Sequence, residues 1–255
     1  MDADKQTKTP MADEEEKIPL TAHLEELRHT LIMSLAGLIV GVIAAIFLVK
    51  PALTLLTAPI GGMQNLHVIE VTESMSVYMR LALMIGLIIA LPWVVYQLFK
   101  FISKGLKPKE RKSIYWAIPF AVLLFLTGVA FAYYVMLPAS LSFFQELLDV
   151  TTSLRLNSYI SYLTNLLFWI GVSFELPLVF FVLAKAGIVN HKMLIKGWRF
   201  ALIAIAVLAA VITPTGDPIN MLIFMFPLSV LYLLSILLSA LAQKPAKAEE
   251  QEKNG

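Results

Sequence analysis

The sequence predicts an all-α integral membrane protein. Six transmembrane helices, with both termini cytoplasmic, form a curved concave wall in which the fifth and sixth helices are short. Three observations predict it. Apolar residues (AVILMFWYC) make up 58% of the 255 positions, with a mean hydropathy of +0.78. Charged residues make up only 15%, against about 25% in a soluble domain. A chain of this size cannot hide that much apolar surface from water, so lipid must cover much of it. The apolar residues also fall into six runs, and the basic residues alternate between the segments that join them.

The amino-terminal segment, 1–19, is polar and carries the run Asp13, Glu14, Glu15, Glu16. It is too long and too acidic for a secretory signal, so the first apolar run reads as a retained span and the segment before it as a disordered cytoplasmic tail. Leu20, Leu24, Leu27 and Leu31 recur at helical spacing, which starts the first helix before the membrane. The membrane domain covers 20–241, with spans at 30–49, 77–99, 114–136, 160–184, 200–212 and 219–241. A span needs about 20 residues to cross about 30 Å of hydrocarbon. The fifth has about 13, roughly 20 Å of helix. It fits either a short span in a thinned bilayer or a re-entrant hairpin with the sixth. The outer loops, 50–76 and 137–159, mix apolar and polar residues and predict short capping helices. The tail 242–255 is rich in Ala, Lys, Glu and Gln and predicts disorder.

Orientation follows from the basic residues. Lys5, Lys8, Lys17 and Arg28 precede span one, and six lie between spans two and three: Lys100, Lys104, Lys107, Lys109, Arg111 and Lys112. Four lie between spans four and five, Lys185, Lys192, Lys196 and Arg199, and three follow span six. The intervening segments hold Lys50, Arg155 and none. The rich segments are cytoplasmic. Trp93, Trp116 and Trp198 near inner ends, and Tyr78, Tyr133, Tyr134 and Tyr159 near outer ends, agree with interfacial aromatic belts. Trp169 lies deeper and reads as packing.

Several chemistries are excluded. No cysteine is present, which removes disulfides, thiolate zinc sites and cysteine nucleophiles. No phosphate-binding glycine loop occurs, and no concentrated basic face suits nucleic acid. His23 and His29 are six residues apart and do not share a helix face, so a solvated helix surface is preferred to a metal site. No cofactor is expected.

Glu175 is the acidic residue deep inside a span, in Phe174-Glu175-Leu176-Pro177. A carboxylate at that depth costs at least a few kcal/mol unless neutral or partnered, which marks a functional position. Pro177 frees the carbonyl of Ser173 and kinks the helix. A protonated Glu175 bonded to that broken turn is the purely structural reading. Pro92, Pro119 and Pro227 lie inside other spans and curve the wall. Gly37 and Gly41 have GxxxG spacing, read as helix packing. On the cytoplasmic side, Lys107-Pro108-Lys109-Glu110 has the form of a helix start, where Glu110 favours the positive end of the helix. Acidic residues at that surface stand among basic ones, where they suit a cationic ligand.

These residues carry a resemblance. His23-Leu24-Glu25-Glu26-Leu27-Arg28 resembles the amino-terminal signature of the TatC family, the multispanning subunit of the twin-arginine protein translocase. Further stretches match in order: Ala58-Pro59, Tyr96-Gln97 through Phe101 to Glu110-Arg111, Ala130-Phe131-Ala132-Tyr133, Ser173 to Pro177, and Thr213-Pro214 with Asp217. The resemblance covers about residues 18 to 240. It implies a receptor and core subunit that binds twin-arginine signal peptides on folded cargo and exports that cargo outward on the proton-motive force. The implied partners are small single-span subunits of the TatA and TatB type, further copies of the chain, and lipid, in the bacterial inner membrane. It places signal-peptide contacts on Glu26, Arg28, Phe101, Glu110 and Arg111, intramembrane and partner contacts on Glu175, Pro177 and Asp217, and outer-cap roles on Pro59 and Tyr133. The chain departs from the pattern after the last outer turn, where Asn220 and Met221 stand in place of a family glutamine. The alternative is a proton-coupled secondary transporter relaying through Glu175, which lacks a second intramembrane charge and any internal repeat. An intramembrane hydrolase is weaker still, because the spans contain no histidine and no paired carboxylate. No enzymatic activity is expected.

Overall fold

The computed structural model describes residues 20–104, 108–148, 154–213 and 218–242, with side chains over 24–101, 118–142, 154–213 and 218–242. The two predicted tails, except for Ala242, and Asp217 lie outside the described residues, as do the side chains of Glu110, Arg111 and Trp116.

Helix α1, Leu20–Ala45, begins well before the first predicted span, as the leucine spacing predicts. A 3-10 turn leads to α2, Val49–Thr57, and a second turn, Ala58–Ile60, carries Pro59 and ends on Gly61 at φ 82°. Strand β1, Leu66–His67, precedes the long helix α3, Glu73–Lys104. Helix α4, Pro108–Phe131, starts at the proline predicted to open it. A π turn over Ala132–Met136 joins α4 to α5, Leu137–Leu148. Pro138 has no N–H to offer the carbonyl of Tyr134, and the N–H of Leu137 instead reaches back five residues to Ala132. The chain then forms β2, Leu154–Arg155, α6, Leu156–Phe174, and α7, Leu176–Lys185. It closes with α8, His191–Lys196, α9, Trp198–Ile212, and α10, Pro218–Ala242.

Among the described residues five helical stretches are long and apolar enough to cross a membrane: Leu24–Ile60, Glu73–Phe101, Ile118–Ser142, Leu156–Lys185 and Pro218–Ala242. Trp198–Ile212 is the shorter apolar helix, as expected for the fifth. The sixth, expected to be short, is 25 residues long, enough for about 37 Å of rise. Helices α3, α4 and α10 continue through Pro92, Pro119 and Pro227.

The order of packing makes a wall rather than a closed bundle. Helix α1 packs chiefly on α3, α3 on α4 and α6, α4 on α6, α7 on α10, and α10 on α9. One apolar cluster fills the junction of α3, α6, α9 and α10, centred on Leu81, Ile160, Leu163, Ile212, Phe224 and Leu228. A second joins α3, α4 and α7 through Leu91, Val95, Phe99, Phe125, Leu178 and Val182. Close approach is made by glycine. A Cβ on Gly41 would lie 2.5 Å from the carbonyl oxygen of Gly86, and one on Gly86 would lie 2.6 Å from the Cα of Val42. The GxxxG spacing thus serves packing within the chain. On the other side of α3, Gly171 of α6 seats the ring of Phe125, and Gly128 of α4 seats that of Phe174.

Candidate functional site

The inner face is assembled by an antiparallel register. Trp93 lies over Gly37 and donates its Nε1–H to the carbonyl of Met33 at 2.9 Å. Further out, Gly41 meets Ala90 and Gly86, and the hydroxyl of Tyr78 donates to Ile46 at 2.9 Å. Continued inward, the same register brings Glu26 of α1 level with Lys100 and Phe101 of α3. Glu26 and Phe101 are half-buried, whereas Arg28 is exposed. Residues 105–107 separate the end of α3 from the start of α4, whose first turn carries Glu110 and Arg111. Glu26, Phe101 and that first turn therefore lie at one end of the wall. A carboxylate beside an aromatic ring is suited to a guanidinium, which pairs bidentately with one and stacks on the other.

The second part of the site runs along α6 and α7. Ser158, Asn165, Val172 and Val179 are exposed at seven-residue intervals, with Ser161, Trp169 and Glu175 half-exposed on the same stripe. The helical hydrogen bonding is interrupted at Glu175, as Pro177 predicts: the Glu175 N–H turns to the carbonyls of Ser173 and Val172, while its own carbonyl accepts from Val179 at 2.9 Å. Pro177 is buried. One carboxyl oxygen of Glu175, Oε1, is buried without a hydrogen-bond partner, so the broken turn does not satisfy both carboxyl oxygens. Thr127 on α4 is exposed close by, one residue before the glycine that seats Phe174. Polar groups within spans face a cavity or a partner rather than lipid tails. Asn165 belongs to this stripe although its own sequence neighbourhood does not single it out. The signal lies in the seven-residue spacing of Ser158 and Asn165 and the ten residues from Asn165 to Glu175. Trp169 packs against the main core beside Phe168, as expected.

The outer cap holds the third group. The hydroxyl of Tyr133 donates to the carbonyl of Leu55 at 2.6 Å, and that of Tyr159 to Leu56 at 2.8 Å, fixing α2 over the ends of α4 and α6. Pro59 is exposed on the turn that follows. The short helices predicted for both outer loops are present as α2 and α5. The sequence gives no warning of the element that joins these loops: β1 and β2 pair in parallel, Leu66 with Leu154 and His67 with Arg155. Beside the pair Glu73 is buried, 2% exposed. Its Oε2 accepts from the N–H groups of Ile69 at 3.1 Å and Glu70 at 3.4 Å and from Arg155 Nε at 3.4 Å, and its Oε1 accepts from the Asn157 N–H at 2.6 Å. Arg155 Nη2 also meets Glu70 Oε1 at 2.8 Å. The Glu70 hydrogen bond first, and then the charge of Glu73, raise the pKa of the Arg155 guanidinium above its ordinary value.

Comparison with known proteins places this architecture. The family model described as Sec-independent protein translocase protein (TatC) matches residues 22–227. The Sec-independent protein translocase protein TatC of Deinococcus radiodurans is 42% identical over 256 residues, covering 96% of this chain and 93% of that protein. The TatC of Aquifex aeolicus is 33% identical, covering 90% and 98%. A crystal structure described as the twin arginine translocase receptor TatC superposes with a TM-score of 0.78 at 32% identity, covering 87% of this chain and all of that one.

Proposed function

The chain belongs to the TatC family of Sec-independent protein translocase components, multi-pass proteins of the bacterial cytoplasmic membrane, and on that premise we propose that it is the receptor and core subunit that grips twin-arginine signal peptides at its cytoplasmic face. The observation that carries this reading is the register of α1 on α3, which sets the half-buried Glu26 level with the half-buried Phe101. The first turn of α4, bearing Glu110 and Arg111, stands at the same end. Two separated carboxylates read two guanidinium forks better than two ammonium groups. An exposed ion pair contributes only about 0–1 kcal/mol, so the rest of the affinity comes from laying the apolar part of the signal against the wall. Arg28 and Arg111 join the two carboxylates as signal-peptide contacts.

Within the membrane, the stripe from Asn165 to Glu175 receives the signal or the helix of a single-span partner subunit. The buried, unpartnered oxygen of Glu175 supports this, because such an atom gains when a donor arrives. Pro177 sets the break that presents Glu175. Asp217 serves partner contact at the last outer turn, and Pro59 and Tyr133 shape the outer cap. Both termini face the cytoplasm, copies of the chain associate, and export draws on the proton-motive force.

The test is co-purification with a twin-arginine signal peptide, using a twin-lysine version as control. Retention of the first and loss of the second is expected. Glu26→Ala and Glu110→Ala each weaken cross-linking of the signal while the protein still inserts. Unchanged cross-linking in both variants removes the assignment. Proton-coupled uptake through Glu175 remains the second reading because of that same unpartnered oxygen. A pH-driven uptake by liposomes holding only this chain, abolished in Glu175→Gln, favours it instead.

A further inference from the structure

The tip of the first outer loop is apolar and uncovered. Val71 is 97% exposed and Ile69 71%, and Val68 is also exposed. Val71 stands two residues before α3, along which Met75, Met79 and Leu83 are exposed at four-residue intervals. Residues four apart share a helix face, and within the span this face meets lipid. The apolar run of α3 begins at Val77, and the helix starts four residues further out at Glu73. At 1.5 Å per residue that places Glu73 about 6 Å beyond the hydrocarbon, within the headgroup layer that widens the ~30 Å core to about 40–45 Å. The outer end of α3 therefore lies at headgroup level, and the tip lies beside it.

The backbone of the tip is prepared for such a place. The N–H groups of Ile69 and Glu70 are both taken up by Glu73 Oε2, and the Glu70 carbonyl accepts from the Glu73 N–H at 3.1 Å. Amides already bonded within the protein lower the cost of moving the tip out of bulk water. The carboxylate of Glu70, between the two apolar side chains, is turned to Arg155 on the neighbouring loop. We propose that residues 68–71 sit in the outer headgroup layer of the bilayer, covered by lipid rather than by protein, and that the cluster of Glu70, Glu73 and Arg155 holds them there. The tip is an interfacial anchor that fixes the height of the outer cap against the membrane. Apolar side chains that enter this layer contribute in proportion to the area they remove from water.

The absence of cysteine makes the test direct. Single nitroxide labels are placed on the full chain through Ile69→Cys and Val71→Cys. Met79→Cys serves as the lipid reference and Gln64→Cys, exposed on the preceding turn, as the water reference. The protein is reconstituted in phosphatidylcholine–phosphatidylglycerol vesicles. Power saturation is read against oxygen, which concentrates in lipid, and a neutral nickel chelate, which stays in water. The labels at 69 and 71 are expected to give oxygen-to-nickel ratios on the Met79 side of the midpoint between the references. A ratio equal to that at Gln64 overturns the proposal. So does exclusion of both reagents, which means that a protein surface covers the tip. In the Val71→Cys background, Arg155→Gln is expected to move the ratio toward the Gln64 value while the Met79 label is unchanged. Glu70→Gln does the same should Arg155→Gln fail to insert. A ratio unmoved in both removes the anchoring role of the cluster.

Discussion

At the scale of single residues, the wall is held by a few close contacts that tolerate no added atoms. Gly41 and Gly86 let the backbones of α1 and α3 meet, and nearly all of the grip on α1 comes from that helix. Gly86→Val places its Cβ within 2.6 Å of the Cα of Val42, an atom that cannot swing aside. Overpacking of this kind costs about 1–3 kcal/mol, so a lower thermal midpoint in detergent is expected, with α1 loosened first. Tyr159 is a gentler case. Tyr159→Phe keeps the buried ring and removes only the hydroxyl bonded to Leu56 at 2.8 Å. A loss of about 0.5–1.5 kcal/mol is expected, read as a small drop in the same midpoint. These two residues differ in how far the sequence reveals them. The glycine spacing in span one is visible, but Gly86 as its partner is not, because the pairing depends on the register between two helices. Glu73 resembles any acidic residue in a first helical turn, and only the fold brings four donors from two loops to it.

At the scale of elements, the break between α6 and α7 is the feature most open to manipulation. Glu175 sits where the two helices fail to merge, and the buried Pro177 supplies no N–H for the carbonyl of Ser173. Pro177→Ala restores that donor and lets one continuous helix form. An interior proline costs a helix roughly 3 kcal/mol or more, and the Glu175 N–H already meets the freed Ser173 carbonyl, so a modest rise in thermal midpoint is expected. Transport is expected to fall, because closing the break changes the angle between α6 and α7 on either side of Glu175. A variant that is both no more stable and fully active would show that the break is incidental. Helix spans and their prolines were legible because lipid imposes a strong one-dimensional pattern on the chain. The π turn at Ala132–Met136 and the paired strands were not. The first changes one hydrogen bond, and the second joins residues 88 positions apart, Leu66 and Leu154, through two-residue strands with no periodicity of their own.

At the scale of the whole molecule, orientation governs every functional assignment, because Glu26 and the first turn of α4 serve a cytoplasmic ligand only if their end of the wall faces inward. The charge alternation predicts this, and the antiparallel packing of α1 on α3 agrees, since it sets both basic segments, around Arg28 and around Lys100, at one end. What the alternation leaves open is the fifth and sixth pair, since a hairpin and two spans place the carboxyl terminus on the same side. Helix α10, at 25 residues, is long enough to cross, and the hydroxyl of Tyr232 holds it to α8 by a bond to Leu194 at 2.7 Å. The basic residues of α8 therefore lie beside the carboxyl half of α10. Gln64→Cys and Lys192→Cys test the arrangement, both positions being exposed. In intact spheroplasts an impermeant maleimide is expected to label residue 64 and to spare residue 192, which becomes reactive only when the membrane is opened. Labelling of residue 192 from outside would place α8 and the carboxyl-terminal end of α10 on the wrong side, and with them the assumption that one cytoplasmic surface gathers the ends of α1, α3, α4 and α10. The expected pattern instead sets Glu26 and the first turn of α4 on the cytoplasmic side and the cluster of Glu70, Glu73 and Arg155 on the outer side.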